Sequence, residues 1–171
     1  MNVIKSSESF YQNNINKLIF DLPVFCIKLI EDKIKRYIGF TPIIKDKLRT
    51  AVKLWCSDKE DTIIKYGHIS NWNVQNITDM SYMFKSCCRF NQPLNNWDVS
   101  NVTNMYYMFC DCQKFNQPLN NWNVSNVTNM YSMFYRCNEF NKPLNKWDVS
   151  NVTDKRFMFC GCLMKYPFNS F

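Results

Sequence analysis

The stretch NWDVSNVTNMYYMFCDCQKFNQPLN, residues 96–120, is one of four copies of a single pattern. Before it stands NWNVQNITDMSYMFKSCCRFNQPLN from Asn71; after it come NWNVSNVTNMYSMFYRCNEFNKPLN from Asn121 and KWDVSNVTDKRFMFCGCLMKYPFNS from Lys146. Trp72, Trp97, Trp122 and Trp147 mark the period, 25 residues. A fixed period of this size means one supersecondary unit stacked on copies of itself, because a single unit cannot bury its apolar face alone.

Within a copy, Leu94, Trp97 and Val99 have the L-x-x-L-x-L spacing of a leucine-rich-repeat strand, with Trp in the middle slot. Successive strand side chains alternate, so Asn96, Asp98 and Ser100 point away from the core. Further on, Met105, Met108, Phe109, Cys112 and Phe115 fall at i, i+3, i+4, i+7 and i+10, one stripe of a helix. Thr103 or Asn104 caps that helix and Pro118 stops it. The expected fold class is α/β, a solenoid of four coils with one strand and one short helix in each.

Asn76, Asn101, Asn126 and Asn151 form a column just after the strand. Stacked amides there would satisfy backbone groups that the turn leaves orphaned, so the N-x-T sequons they create are read as structural. The last copy carries Lys155 in the Met column and Lys165 in the Phe column, which suits a polar terminal cap.

The chain divides into a helical segment at 1–43, a helical cap at 44–68 and the repeats at 69–171. Ser57-Asp58-Lys59-Glu60 reads as a capping box opening a helix that runs to Tyr66 and stops at Gly67. Leu48, Ala51, Val52 and Trp55 make the apolar stripe of a preceding helix that covers the first coil. Ile27, Ile30, Ile34 and Tyr37 mark another amphipathic helix. Ahead of it, the run from Leu18 to Pro23 resembles the opening of an F-box, which implies docking onto a ubiquitin ligase.

The 171 residues carry a net charge of +7, are 46% hydrophobic and include 9 cysteines. That composition argues for a packed chain. The basic residues form no clustered stripe, which argues against nucleic-acid binding. The N-terminus lacks a signal-peptide pattern, and the apolar run from Leu18 to Ile30 is too short to span a bilayer. An intracellular chain with reduced thiols is therefore expected. Cys87, Cys112, Cys137 and Cys162 share a column, and helices stacked about 8 to 10 Å apart would hold them beyond disulfide reach.

From Trp97 to Asn120 the copy closely resembles the BspA-like leucine-rich repeat proteins, including the mycoplasma-type repeat DUF285, and the resemblance covers residues 48 to 170. It implies a right-handed leucine-rich-repeat-like solenoid with a binding or surface role and no known chemistry. Many relatives are surface proteins, and others are encoded by protists and giant viruses. The Asn, Lys and Ile richness here leans towards the latter.

Catalysis needs positioned acids, bases or nucleophiles, and the single histidine, His68, sits in a tight Gly67-His68-Ile69 turn where a structural role fits better. On a helix Cys110 and Cys112, or Cys160 and Cys162, would point about 200° apart and could not chelate one ion. With three glycines in all, no phosphate loop is possible. No enzyme, cofactor or metal is expected. The expected function is that of a monomeric protein-interaction module; the alternatives are an F-box-like substrate receptor and a structural or adhesion protein. The candidate binding face is polar and uniform: Asn96, Asp98, Ser100, Asn121, Asn123, Ser125, Lys146 and Asp148. The opposite side varies more, with Lys85, Cys110, Tyr135 and Cys160 in one column and Arg89, Lys114, Glu139 and Met164 in another.

Overall fold

A computed structural model describes residues 40–42 and 44–163. The F-box-like run, the helix expected through Ile27 and Tyr37, and Lys165 lie outside the described residues.

Helix α1 spans Lys45–Ser57 and buries Leu48, Ala51, Val52 and Trp55 on one face. Helix α2 spans Lys59–Tyr66. The cap between them is Asp58, one residue later than the capping-box reading placed it: its carboxylate accepts the Asp61 N–H at 3.0 Å. Ser57 cannot cap α2 because it is still in the last turn of α1, where its hydroxyl donates back to the carbonyls of Lys53 and Leu54. Gly67 ends α2 at φ 74°, ψ −177°, and its N–H donates to Ile63. That conformation is almost exclusive to glycine. A Cβ at Gly67 would meet no atom within 4 Å, so Gly67→Ala isolates the backbone penalty. It should lower the unfolding free energy by about 1 to 3 kcal/mol, read from a denaturant midpoint.

The helices close over the first repeat. Trp72 is ringed by Phe40, Trp55 and Tyr66, with centroids at 5.2, 5.9 and 6.1 Å. The Lys45 ammonium donates to Asp79 at 2.8 Å and to Ser81 at 2.5 Å.

The repeats are not strand-helix coils. Among the described residues they contain no strand and no α-helix, only a single 3-10 turn at Ile69–Asn71 where they begin, and the expected α/β leucine-rich-repeat-like solenoid is overturned. Each copy is instead a succession of turns, joined to the next by backbone hydrogen bonds between equivalent positions. In the Met-Phe segment the N–H groups alternate between two partners. Met80, Tyr82, Phe84 and Ser86 donate outward to the carbonyls of Asn104, Tyr106, Met108 and Cys110 in the next copy. The intervening Met83, Lys85 and Cys87 donate back three residues, to Met80, Tyr82 and Phe84. The second copy repeats this one period on, Met105 and Tyr107 donating to Asn129 and Tyr131. A helix is ruled out by left-handed residues at two positions per copy: Tyr82, Tyr107, Ser132 and Phe157 at one, Ser86, Asp111, Arg136 and Gly161 at the other, all with φ between 51° and 83°. A right-handed helix cannot pass through them.

The Trp-Val segment also fails to form a strand. Turns closed by Trp97 N–H to Leu94 and by Val102 N–H to Val99 bracket it and leave only a short extended piece. Between copies, pairing is limited to isolated parallel bridges from Asp79 to Asn104, Asn104 to Asn129 and Asn129 to Asp154. Beside the tryptophans the copies are joined by side chains. The indoles of Trp97, Trp122 and Trp147 donate to the carbonyls of Ile69, Leu94 and Leu119 at 2.8 to 2.9 Å.

Equivalent side chains therefore lie one over the next and form the core. Phe84, Phe109, Phe134 and Phe159 stack with successive centroids 5.1, 5.4 and 5.6 Å apart. Phe90, Phe115 and Phe140 make a parallel column at 5.9 Å. The amides of Asn101, Asn126 and Asn151 donate to the backbone of the preceding copy at 2.7 to 2.8 Å, which is the structural role read for that column.

Candidate functional site

The polar face nominated from the sequence is exposed at Asn96, Asp98, Asn121, Asn123, Lys146 and Asp148 and half-buried at Ser100 and Ser125, and much of its hydrogen-bonding capacity is spent on the turns. Asp98 accepts the Ser100 N–H, Asn123 accepts both the N–H and hydroxyl of Ser125, and Asp148 accepts the Ser150 N–H. The serine contacts hold Asp98 and Asp148 below the usual carboxylate range. Asn96 accepts from Asn95, and the Lys146 N–H is held by Asn120. Asn121 is exposed. The column is a row of small closed turns.

A second surface escaped the sequence reading. Tyr82, Tyr106, Tyr107 and Tyr131 meet ring to ring, all half-buried. Tyr82 and Tyr107 are parallel at 5.6 Å, Tyr106 and Tyr107 cross at 4.5 Å, and Tyr106 stacks with Tyr131 at 5.3 Å. Phe157, 59% exposed, extends the cluster at 5.7 Å from Tyr131. Cations sit over its rim: the Lys85 ammonium lies 5.3 Å from both Tyr82 and Tyr107, and the Arg156 guanidinium 5.4 Å from Tyr131. Cations over ring faces are attracted by the ring quadrupole.

Local structure explains the clustering. The left-handed conformation at Tyr82 and Tyr107 turns the chain so that two adjacent columns, Ser81-Tyr106-Tyr131-Arg156 and Tyr82-Tyr107-Ser132-Phe157, share one side. A hydrogen bond with Tyr82 pushes the Tyr106 hydroxyl up to about 12. Burial and then Tyr107 raise Tyr131. Both phenols thus remain neutral donors across the physiological range. The signal available in the sequence was the dipeptide Tyr106-Tyr107 flanked by Ser81-Tyr82 and Tyr131-Ser132, in which tyrosine alternates between the two columns.

The groups that bear on catalysis and metal binding are held in the fold. His68 Nδ1 lies 2.7 Å from the Ser70 hydroxyl, and the ring stands edge-on to Trp55 at 5.1 Å. Among the described residues no group of three His, Cys, Asp or Glu is placed to hold a metal ion. All described cysteines are free. The helix-spacing reason given for this does not hold, since the column is not helical. Instead Cys112, Cys137 and Cys162 each donate S–H to a phenylalanine carbonyl of the preceding copy, Phe84, Phe109 and Phe134, at 2.8 Å. Burial pushes the Cys112 and Cys137 thiols well up. Lys114 and Glu139, in one of the variable columns, form an ion pair between copies. No helix among the described residues is long and apolar enough to cross a membrane.

Residues 56–169 match the family described as "Mycoplasma protein of unknown function, DUF285", and the chain belongs to that family. Comparison with curated proteins and with solved structures found no match.

Proposed function

We propose that the chain is a non-catalytic protein-interaction module whose contact surface is the tyrosine face. The observation that carries this reading is the contiguous cluster of Tyr82, Tyr106, Tyr107 and Tyr131 with Lys85 and Arg156 over its rings. Tyrosine and arginine are the residue types enriched at the energetic centres of protein interfaces, since each offers large contact area and a polar handle. The polar turn column offers no such anchor. The resemblance of the repeat to the BspA-like proteins, which implies a binding or surface role, supports the same reading.

The test compares two double variants in capture of partner proteins from the native cell, followed by titration with the purified partner. Tyr106→Ala with Tyr131→Ala should weaken binding by about 2 kcal/mol or more, roughly thirtyfold. Asn96→Ala with Asn121→Ala should leave it nearly unchanged. Unfolding midpoints of both variants establish that the fold is retained. The reverse ranking would move the contact surface to the polar column; equal, undiminished binding by both would remove the tyrosine face from consideration.

A further inference from the structure

The column cysteines are not equivalent. In the later copies the thiol donates to the carbonyl of a phenylalanine one layer back. The first copy has no repeat before it, and Cys87 meets α1 instead: the Cys56 sulfur lies 2.7 Å away. Beside the pair opens a cleft of about 440 Å³ that includes Cys88 and is walled by Trp55 and Phe90. Lys59 and Arg89, both exposed, also line it. Three thiols and two cations thus share one opening at the junction of the helices with the repeats.

We propose that Cys56 and Cys87 are an oxidisable dithiol that exchanges with small anionic disulfides of the glutathione type, received in this cleft, and closes into a bond tying α1 to the first repeat. The cleft suits such a compound on two counts. Its volume lies within the range of small-molecule sites, and its cations match the carboxylates of a peptide disulfide. The two sulfurs are already close, and a bond of about 2.05 Å needs only a small approach.

The exchange balances without a further reagent. Cys56, exposed, loses its proton to solvent and attacks one sulfur of the incoming disulfide. That S–S bond breaks, one small thiolate leaves and is protonated, and a mixed disulfide remains on Cys56. Cys87 then gives up its proton, attacks the Cys56 sulfur and expels the second small thiol. Two protein thiols and one small disulfide become one protein disulfide and two small thiols. The order of attack follows from the environments. Contact with the Cys56 sulfur, towards which Cys87 keeps its proton, and burial hold the Cys87 thiol protonated, so the exposed Cys56 reacts first. Once Cys56 is in the mixed disulfide that thiol–thiol contact is gone, and Cys87 is released to resolve it.

The experiment uses the full chain, fully reduced, with oxidised glutathione as the anionic probe and hydroxyethyl disulfide as a neutral one. Thiols are trapped by alkylation and the tryptic peptides identified by mass spectrometry. The expected product is a cross-link between the peptide holding Cys56 and the peptide holding Cys87. It should persist in Cys88→Ser, give way to a mixed disulfide on Cys56 in Cys87→Ser, and vanish in Cys56→Ser with Cys87 left largely unmodified. Oxidised glutathione should react about tenfold faster than the neutral probe, a preference expected from a cleft lined by one sign of charge. Lys59→Glu with Arg89→Glu should abolish that preference. Absence of the cross-link, or its equal formation through Cys88 when Cys87 is replaced, overturns the dithiol. Equal rates for the two probes overturn the anionic ligand.

Discussion

Trp122→Ala is expected to lower the unfolding free energy by about 3 to 5 kcal/mol, the range for removing a buried aromatic side chain. The ring is 3% exposed and sits between layers, 6.3 Å from Phe109 of the second copy and parallel to Trp147 of the fourth at 6.4 Å. Its N–H also donates to the Leu94 carbonyl at 2.9 Å, which would keep only the Trp97 N–H, at 3.0 Å, once the indole is gone. Trp147→Ala should cost less. Its ring partners, Trp122 and Phe134, both belong to the third copy, so its loss opens a cavity against one layer rather than between two. Denaturant titration with unchanged slopes would measure both. Small and equal losses at the two positions would show that the copies do not share a core.

The sequence carries the register of this fold but not its hydrogen bonding. All five residues of the supposed helical stripe, Met105, Met108, Phe109, Cys112 and Phe115, are buried, yet no helix holds them. Spacing at i, i+3 and i+4 reports which side chains turn inward, and consecutive three-residue turns produce the same spacing as a helix. What separates the two is the left-handed backbone at Tyr107 and Asp111. Such positions normally declare themselves through Gly or Asn. Here they are filled by Tyr, Ser, Asp, Arg and Phe, and Gly161 alone hints at the conformation. The strand reading failed for a related reason. Trp97 and Val99 are buried on either side of the outward Asp98, as alternation requires, but turns on both sides leave the segment too short to form a ladder.

The same gap hid the tyrosine face. On a helix Tyr106 and Tyr107 would project about 100° apart. In the turn run they lie in ring contact with each other and with Tyr82 and Tyr131. Cys56 was invisible for a simpler reason: it precedes the first repeat and belongs to no column. The pairing of its thiol with Cys87 depends on how α1 closes over that repeat.

Excising the whole second copy, residues 96–120, should leave a protein that still folds cooperatively, whereas excising the shorter stretch 96–108 should unfold it. The longer cut joins Asn95 to Asn121 and recreates the Asn-Asn-Trp sequence of the native junction. Trp122 then stands where Trp97 stood, within reach of the Ile69 carbonyl. The N–H groups of Met80, Tyr82, Phe84 and Ser86 regain acceptors in Asn129, Tyr131, Met133 and Tyr135, one period further on. Only one layer is lost, and with it a proportionate share of stability and of the denaturant slope, as nearest-neighbour energetics of stacked repeats requires. The shorter cut removes Trp97, Val99, Val102, Met105 and Met108, all buried, while Phe109, Cys112 and Phe115 remain without the rest of their layer. It also takes away the carbonyls of Asn104, Tyr106 and Met108, which accept from the first copy. Losing so many buried groups exceeds the roughly 5 to 15 kcal/mol of stability available to a domain. Circular dichroism and denaturant titration of the two variants would decide the matter, and a shorter deletion that folds as well as the longer one would show that layer-by-layer register does not hold this chain together.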